Sequence, residues 1–476
     1  IAGFCNFNEN FEENTDYWNL RLEKMRAVLA HRGNDARGRF LKKHIGLSHS
    51  RLAIRDILCG DQPMTRTHNG YDYTICYNGE IYNTDELIPE LSENGFVCST
   101  TSDTEVILYA YIHWGADFVS RLNGIFAFAI WDAAKNRLLL YRDRVGVKPL
   151  FYAIRGDSLV FGSEPKACFA HPDVKPELDK QGLQELLAIG PAHTSGLSLF
   201  KDLFEVLPGH FMIYSQDGLH DETYWELTSR EHTDSYQDTV AHTRFLVEDA
   251  IKRQMVSDVP VCTFLSGGID SSIVTAIAAN YMNTRGKTLN TFSFDFKDND
   301  RYFKANAFQP ERDLPYVNRM LEEYETAHSY LECDENALFK ALFAAVDAKD
   351  MPGMTDVDSS LLYFCSLVSR KNKVALTGEC ADEIFGGYPW FYRKELLERY
   401  GFPWSSDVAP RLALLRDDVG LELDLSGYQA FRYEESRSKA PLLYGETGED
   451  ESRRIIGYLN IKWFMQTLLD RMDRTS

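Results

Sequence analysis

Residues 260–280, PVCTFLSGGIDSSIVTAIAAN, constrain the fold of this chain more than any other stretch. The apolar run PVCTFL reads as a strand. It breaks at Ser266-Gly267-Gly268 and restarts as a helix carrying Asp270, Ser271 and Ser272 in its first turn. Around it, from about residue 234, helix-length segments alternate with strands. They run YQDTVAHTRFLVEDAIKRQM, PVCTFL, the helix at Ser271, LNTFSFDF, PYVNRMLEEY, AHSYLEC, ENALFKALFAAV, SSLLYFCSLVSRK and KVALTG. That alternation predicts an α/β doubly wound parallel sheet, whose ligands sit beyond the carboxyl ends of the strands. SGGIDSS and TGECADE both follow strands directly, so both would line one crevice. Two adjacent glycines let backbone N–H groups approach a ligand, and the hydroxyls and dipole at the helix start favour an anion. The pattern suits a polyphosphate with its metal; it also fits a tight turn with a polar N-cap.

The first part of the chain has a different texture. IAGFCNF, HIGLSHSRLAI and YTICYNGEIYN read as strands. EKMRAVLAHR (23–32), TDELIPELSENG and TEVILYAYIHWG read as helices with glycine stops. FAFAIWDAAKNRLLLYRDR and KPLFYAIRGDSLVFGSE read as hairpins around DAAKN and RGDS. Strands joined by hairpins imply an α+β layered domain of antiparallel sheets flanked by helices. PELDKQGLQELL reads as a helix, FKDLFEVLPGHFMIY returns to strand, and the chain beyond about residue 403 is mostly helical in pattern.

At 476 residues the chain is too long for one ordinary core. Its net charge of −20 argues against a nucleic-acid or anionic-membrane surface, so a polyanion must be held by local N–H groups, a few basic side chains and a divalent metal. Nine scattered cysteines with no C-x-x-C pair argue against a disulfide scaffold or zinc site and for a reducing cytoplasm. No signal-peptide pattern and no membrane-length apolar run is present.

A series of motifs carries a resemblance: HRGND (31–35), HSRLAI (49–54), YNGEIYN (77–83), SDTEVI (102–107), RDRVGVKPLFY (142–152), FGSEPKA (161–167), LPGH (207–210), LSGGIDSS (265–272), TGECADEIFGGYPWF (377–391) and LLDRMDRTS (468–476). In this order the chain resembles the glutamine-hydrolysing asparagine synthetases. The resemblance implies a class II, Ntn-type amidotransferase domain over 1–195 and a connecting segment over 196–233. An ATP-pyrophosphatase synthetase domain would follow over 234–476, with the family's chains continuing further. Family members begin Cys-Gly-Ile-x-Gly, that Cys being the nucleophile, whereas this sequence begins at the Ile; Cys5 reads as a structural residue.

The family pattern also assigns roles. Asn78 and Gly79 resemble an oxyanion pair. Glutamine would be held by Arg51 at its carboxylate, by Glu80 and Asp103 at its ammonium, and by the run Leu52, Ala53, Ile54 and Arg55. In the second domain Ser266, Gly267, Gly268, Asp270, Ser271 and Ser272 would cradle pyrophosphate. Leu265 and Phe294 would lie near adenine, with Thr377 and Gly378 at further nucleotide-binding positions. Glu379 matches a carboxylate tied to acyl-adenylate formation, and Asp270 and Asp382 are the Mg²⁺ candidates. Thr377 and Cys380 stand where many relatives carry Ser and Gly. The expected activity is asparagine formation from aspartate, glutamine and ATP through β-aspartyl-AMP; a homodimer is an admissible assembly. The alternatives are an amide-forming relative without glutaminase (a β-lactam synthetase or peptide cyclase) and a non-catalytic homologue. The residues Arg51, Asn78, Gly79, Glu80 and Asp103 argue against the first, and Asp270 and Glu379 against the second.

Overall fold

The computed structural model describes residues 1–305, 311–405 and 407–476. Two compact units emerge, Ile1–Ser229 with Tyr388–Asp473, and Arg230–Gly387 with Arg474–Ser476.

The first unit is built on twelve strands: β1 (Ala2–Asn6), β2 (Ala36–Lys42), β3 (Ile45–Arg51), β4 (Met64–His68), β5 (Tyr71–Ile81), β6 (Gly124–Asp132), β7 (Arg137–Arg142), β8 (Phe151–Arg155), β9 (Ser158–Gly162), β10 (Phe204–Glu205), β11 (His210–Ser215) and β12 (Gly218–Thr223). They form two six-stranded sheets, β10-β8-β9-β1-β3-β2 and β12-β11-β7-β6-β5-β4, in which every pairing is antiparallel. Alternation along the strands makes the layers. Ile1, Cys5, Ile45, Leu47, Cys76, Ala127, Leu140 and Phe161 close one core between the sheets. Ala2, Phe4 and Val160 instead face the helix Thr15–Ala27 through Leu22 and Met25. Ile75, Tyr77, Phe126 and Phe128 face the helices Thr84–Glu93 and Asp103–Trp114. The result is the four-layer arrangement that the hairpins implied.

The helix read over 23–32 runs earlier, over Thr15–Ala27, because Asn14 caps it by accepting from the Tyr17 N–H; Ala30–Arg32 is a separate 3₁₀ turn. Tyr388–Asp473 is largely helical. It packs with the N-terminal strands' unit, where Phe402, Leu425, Ile455, Leu459 and Trp463 surround Ala188, Ile189 and Ala192.

The second unit holds β13 (Val261–Phe264), β14 (Leu289–Phe296), β15 (Thr326–Cys333) and β16 (Val374–Leu376) in the order β15-β14-β13-β16, all parallel. The chain leaves β13 towards β14 on one side and later places β16 on the other. The order therefore reverses between β13 and β16, and the crevice of a doubly wound sheet opens at that reversal. No helix among the described residues is long and apolar enough to cross a membrane.

Candidate active sites

The first cluster lies where β3 and β5 face each other across the core. Ile45 and Leu47 point into that core, so His49 and Arg51 share their face, while Cys76 puts Asn78 on the same inward face of β5. The buried Asn78 Nδ2 has no hydrogen-bond partner. Gly79 sits at φ +154, and a Cβ there would lie 2.1 Å from the Ile125 carbonyl oxygen, so only glycine fits. His49 Nε2 donates to the Tyr77 carbonyl at 3.0 Å and ties the two sheets together. Burial drives its pKa down to about 3, so the ring is neutral at physiological pH and Nε2 carries the hydrogen.

Around these groups the predicted residues fall into two sets. Asp103, buried at the start of its helix, accepts from the Tyr77 hydroxyl at 2.9 Å and the Ile81 N–H at 3.0 Å. Burial raises its pKa, opposed by the nearby Arg55 and these hydrogen bonds. Arg55 donates to the Ile81 carbonyl and Thr84 Oγ1. Glu80 lies on β5, half-buried. Arg51 does not stand open. Its Nη1 reaches the Ile57 carbonyl and Asp61 Oδ1, and its Nη2 reaches the Arg55 and Asp56 carbonyls. The neighbouring 52–54 run is held from the HRGND side. Ala53 N–H donates to Asp35 Oδ2 at 2.8 Å, and a Cβ on Gly33 would lie 2.3 Å from the Arg51 carbonyl carbon. Leu52 is exposed and Ile54 half-buried beside them.

Sequence reasoning quoted four charged motifs without seeing that they meet. Glu164, wholly buried, accepts from Arg32 at 2.8 Å, pairs with His31 at 2.9 Å, and pairs with Lys166 at 3.0 Å. Asp473 pairs with Arg32 at 2.5 Å and Lys148 at 2.9 Å. Burial alone would raise the Asp473 pKa; Arg32 and Lys148 outweigh it and hold the carboxyl down to about 2. No spacing or periodicity in the sequence links Arg32, Lys148, Glu164 and Asp473, which lie in four separate motifs.

The second cluster is in the parallel-sheet unit. After β13, the Leu265 N–H donates to the Phe292 carbonyl at 2.8 Å, and the Leu265 carbonyl accepts from Ser293 Oγ. Leu265 is itself buried. Gly267 follows at φ +84, with the space for its Cβ closed by Tyr316 Cβ at 2.8 Å. Ser266 and Ser271 hydroxyls lie 3.0 Å apart, and Ser271 Oγ donates back to the Gly268 carbonyl at 3.1 Å. Ser272 N–H also returns to that carbonyl, starting the helix Ile269–Asn283. The TGECADE turn comes against this helix start. A Cβ on Gly378 would lie 2.7 Å from Asp270 Cβ and 2.8 Å from Ser271 N. Burial and the charge of Asp382 both raise the Asp270 pKa. Glu379 N–H reaches Thr377 Oγ1 at 3.4 Å, and Cys380 takes φ +71, a left-handed position that glycine adopts freely. Phe294 packs on Phe364 at 5.2 Å between ring centres, on a shelf with Phe264.

Among the described residues no three His, Cys, Asp or Glu side chains gather as a metal site. Two mutually repelling carboxylates suit a hard cation whose remaining places are filled by phosphate and water, not one caged by protein.

Comparison with known proteins then places the chain. The glutamine amidotransferase domain family matches residues 1–225, and the asparagine synthase family matches residues 242–476. The chain is 48% identical over 477 residues to the glutamine-hydrolysing asparagine synthetase 3 of Bacillus subtilis (strain 168), across all of this chain and 77% of that one. It is 34% identical over 380 residues to asparagine synthetase 1 of the same organism, across 79% of this chain and 56% of that one. It is also 30% identical over 472 residues to the amidase chyE of Penicillium rubens, across 96% of this chain and 66% of that one. An amidotransferase half and a synthase half are thus joined in one polypeptide. The chain belongs to the glutamine-hydrolysing asparagine synthetase family.

Proposed function

We propose that this protein makes asparagine from aspartate, glutamine and ATP, with amidotransferase chemistry on residues 1–195, a connecting segment over 196–233 and synthetase chemistry on 234–476. The observation that carries the reading is the convergence at the β13/β16 reversal, where Gly378 abuts Asp270 and Ser271. A Gly-Gly helix start facing two carboxylates, without a Walker-type Gly-Lys-Ser/Thr at the turn, suits pyrophosphate departure and adenylation better than γ-phosphoryl transfer.

The glutaminase step follows the pattern of the family, in which the nucleophile is an N-terminal cysteine. Its thiol attacks the glutamine carboxamide carbon while the α-amine takes the proton and passes it to the departing ammonia. Asn78 Nδ2, a buried donor lacking an acceptor, and the Gly79 N–H meet the oxyanion; water then releases glutamate from the thioester. Arg51 is assigned to the glutamine carboxylate, Glu80 and Asp103 to its ammonium, and the run Leu52, Ala53, Ile54 and Arg55 to its backbone contacts.

At the second site Ser266, Gly267, Gly268, Ser271 and Ser272 hold the β- and γ-phosphates, and Thr377, Gly378, Leu265 and Phe294 border the nucleoside. Asp270 and Asp382 would hold Mg²⁺, which when bound offsets the phosphate charge. The aspartate β-carboxylate attacks the α-phosphorus and pyrophosphate leaves. Ammonia from the first site then attacks the acyl carbon of β-aspartyl-AMP and AMP leaves, with Glu379 assigned to this acyl chemistry. The described cysteines are free thiols, which fits a cytoplasmic home.

The test is product formation from aspartate, ATP and Mg²⁺ with either glutamine or ammonium as nitrogen donor. Asparagine, AMP and pyrophosphate in equal amounts are expected with both donors, and glutamate with glutamine alone. Absence of AMP release with aspartate as acceptor rejects the synthetase reading.

A further inference from the structure

Building on the glutamine-site reading, we propose that Asp61 is a built-in competitor for the substrate carboxylate at Arg51. The Arg51 side chain is 7% exposed, and both of its terminal nitrogens are already engaged. Three of the four acceptors are main-chain carbonyls of Arg55, Asp56 and Ile57, which belong to a tightly built loop. Gly60 N–H returns to the Asp56 carbonyl, and the Asp56 carboxylate accepts from the Cys59 and Thr101 N–H groups. The loop closes directly on the guanidinium, since a Cβ on Gly60 would lie 2.4 Å from Arg51 Nη2.

The fourth acceptor is of another kind. Asp61 Oδ1 lies 3.1 Å from Arg51 Nη1, and the Asp61 side chain is 76% exposed. It is the one anionic acceptor in the set and the one free to swing into water. A guanidinium binds an amino-acid carboxylate best through two parallel N–H groups. An arriving glutamine therefore meets a fork whose Nη1 is held by another carboxylate, and binding exchanges one anion for the other. The exchange keeps a nearly buried cation neutralised before and after substrate arrives, when a bare one would be strongly disfavoured. Asp61 is thus a positioning residue that sets glutamine affinity through Arg51 and touches no reacting atom.

An ion pair with one exposed partner is worth up to about 1 kcal/mol, which as competition raises the apparent KM by up to about sixfold. The experiment uses the full-length protein, with glutamate release measured against glutamine concentration for wild type, Asp61→Asn and Asp61→Glu. Ammonium-dependent synthesis is followed in parallel. Asp61→Asn is expected to lower the glutamine KM about two- to sixfold with kcat unchanged, Asp61→Glu to return it to the wild-type value, and ammonium-dependent rates to stay level. An unchanged or higher KM in Asp61→Asn, or a fall in kcat with it, overturns the proposal while leaving the glutaminase reading intact. No glutamate release by the wild type removes the glutaminase reading and this inference together.

Discussion

At the residue scale, Asn78 separates stability from catalysis. Its Nδ2 is a buried donor with no acceptor, and such a group costs about 1–3 kcal/mol in the folded state. Removing the amide with Asn78→Ala should therefore leave stability unchanged or raise it by about 1 kcal/mol, read as a shift in the urea midpoint. The same change removes the donor assigned to the oxyanion, so glutaminase kcat should fall about 10²–10³-fold while ammonium-dependent synthesis persists. Loss of stability together with both activities would instead identify Asn78 as a packing residue. Gly79 beside it was legible as special from YNGEIYN, and the reason is now physical: the Ile125 carbonyl occupies the space of its Cβ.

At the element scale, the parallel sheet was readable because each strand is a short apolar run bounded by a helical period. The crevice was readable because SGGIDSS and TGECADE follow β13 and β16. What was hidden depended on tertiary approach. Nothing in HSRLAI announces that Arg51 turns to the carbonyls of residues 55–57, and nothing in LLDRMDRTS announces that Asp473 reaches Arg32 and Lys148. The helix start at Thr15 was missed because DYWNLRL shows little contrast between its faces, and the Asn14 cap alone marks it. The contact of two turns gives the sharpest element-level prediction. Gly378→Ala places a methyl group 2.7 Å from Asp270 Cβ, against backbone that cannot yield cheaply. The TGECADE turn must then draw back from the helix start. ATP-dependent AMP formation should fall at least about tenfold, the equivalent of 1.4 kcal/mol in the barrier, while glutamate release is retained. Unaltered AMP formation in this variant would mean that the two turns do not act on one ligand.

At the scale of the whole molecule, the buried charges of the antiparallel-sheet unit set its response to acid. Glu105 is wholly enclosed; burial would raise its pKa, but hydrogen bonds from Thr100, Arg66 and Ser99 prevail and hold it at about 2. Glu205 is held at about 2 against burial by His193 and Arg142, and Asp473 at about 2 against burial by Arg32 and Lys148. For each carboxyl the folded pKa is below the unfolded one. Its stabilisation is therefore complete above the ordinary carboxylate value, near 4.5 for Glu and 3.8 for Asp, and is lost as pH falls from there to about 2. Each such shift corresponds to roughly 2–3 kcal/mol. Asp103 and Asp143 act in the opposite sense, because burial raises their pKa values and protonation relieves them, so they offset part of the loss. Urea midpoints should begin to fall below about pH 6.5, where the unfolded chain protonates His49 and the folded chain keeps it neutral, then fall more steeply below about 4.5 as the three carboxyls take up protons on unfolding. Glu105→Gln should lower the midpoint at pH 7 and flatten the acid slope by that carboxyl's share, whereas an unchanged slope in the variant would show that Glu105 is not held ionised by its partners.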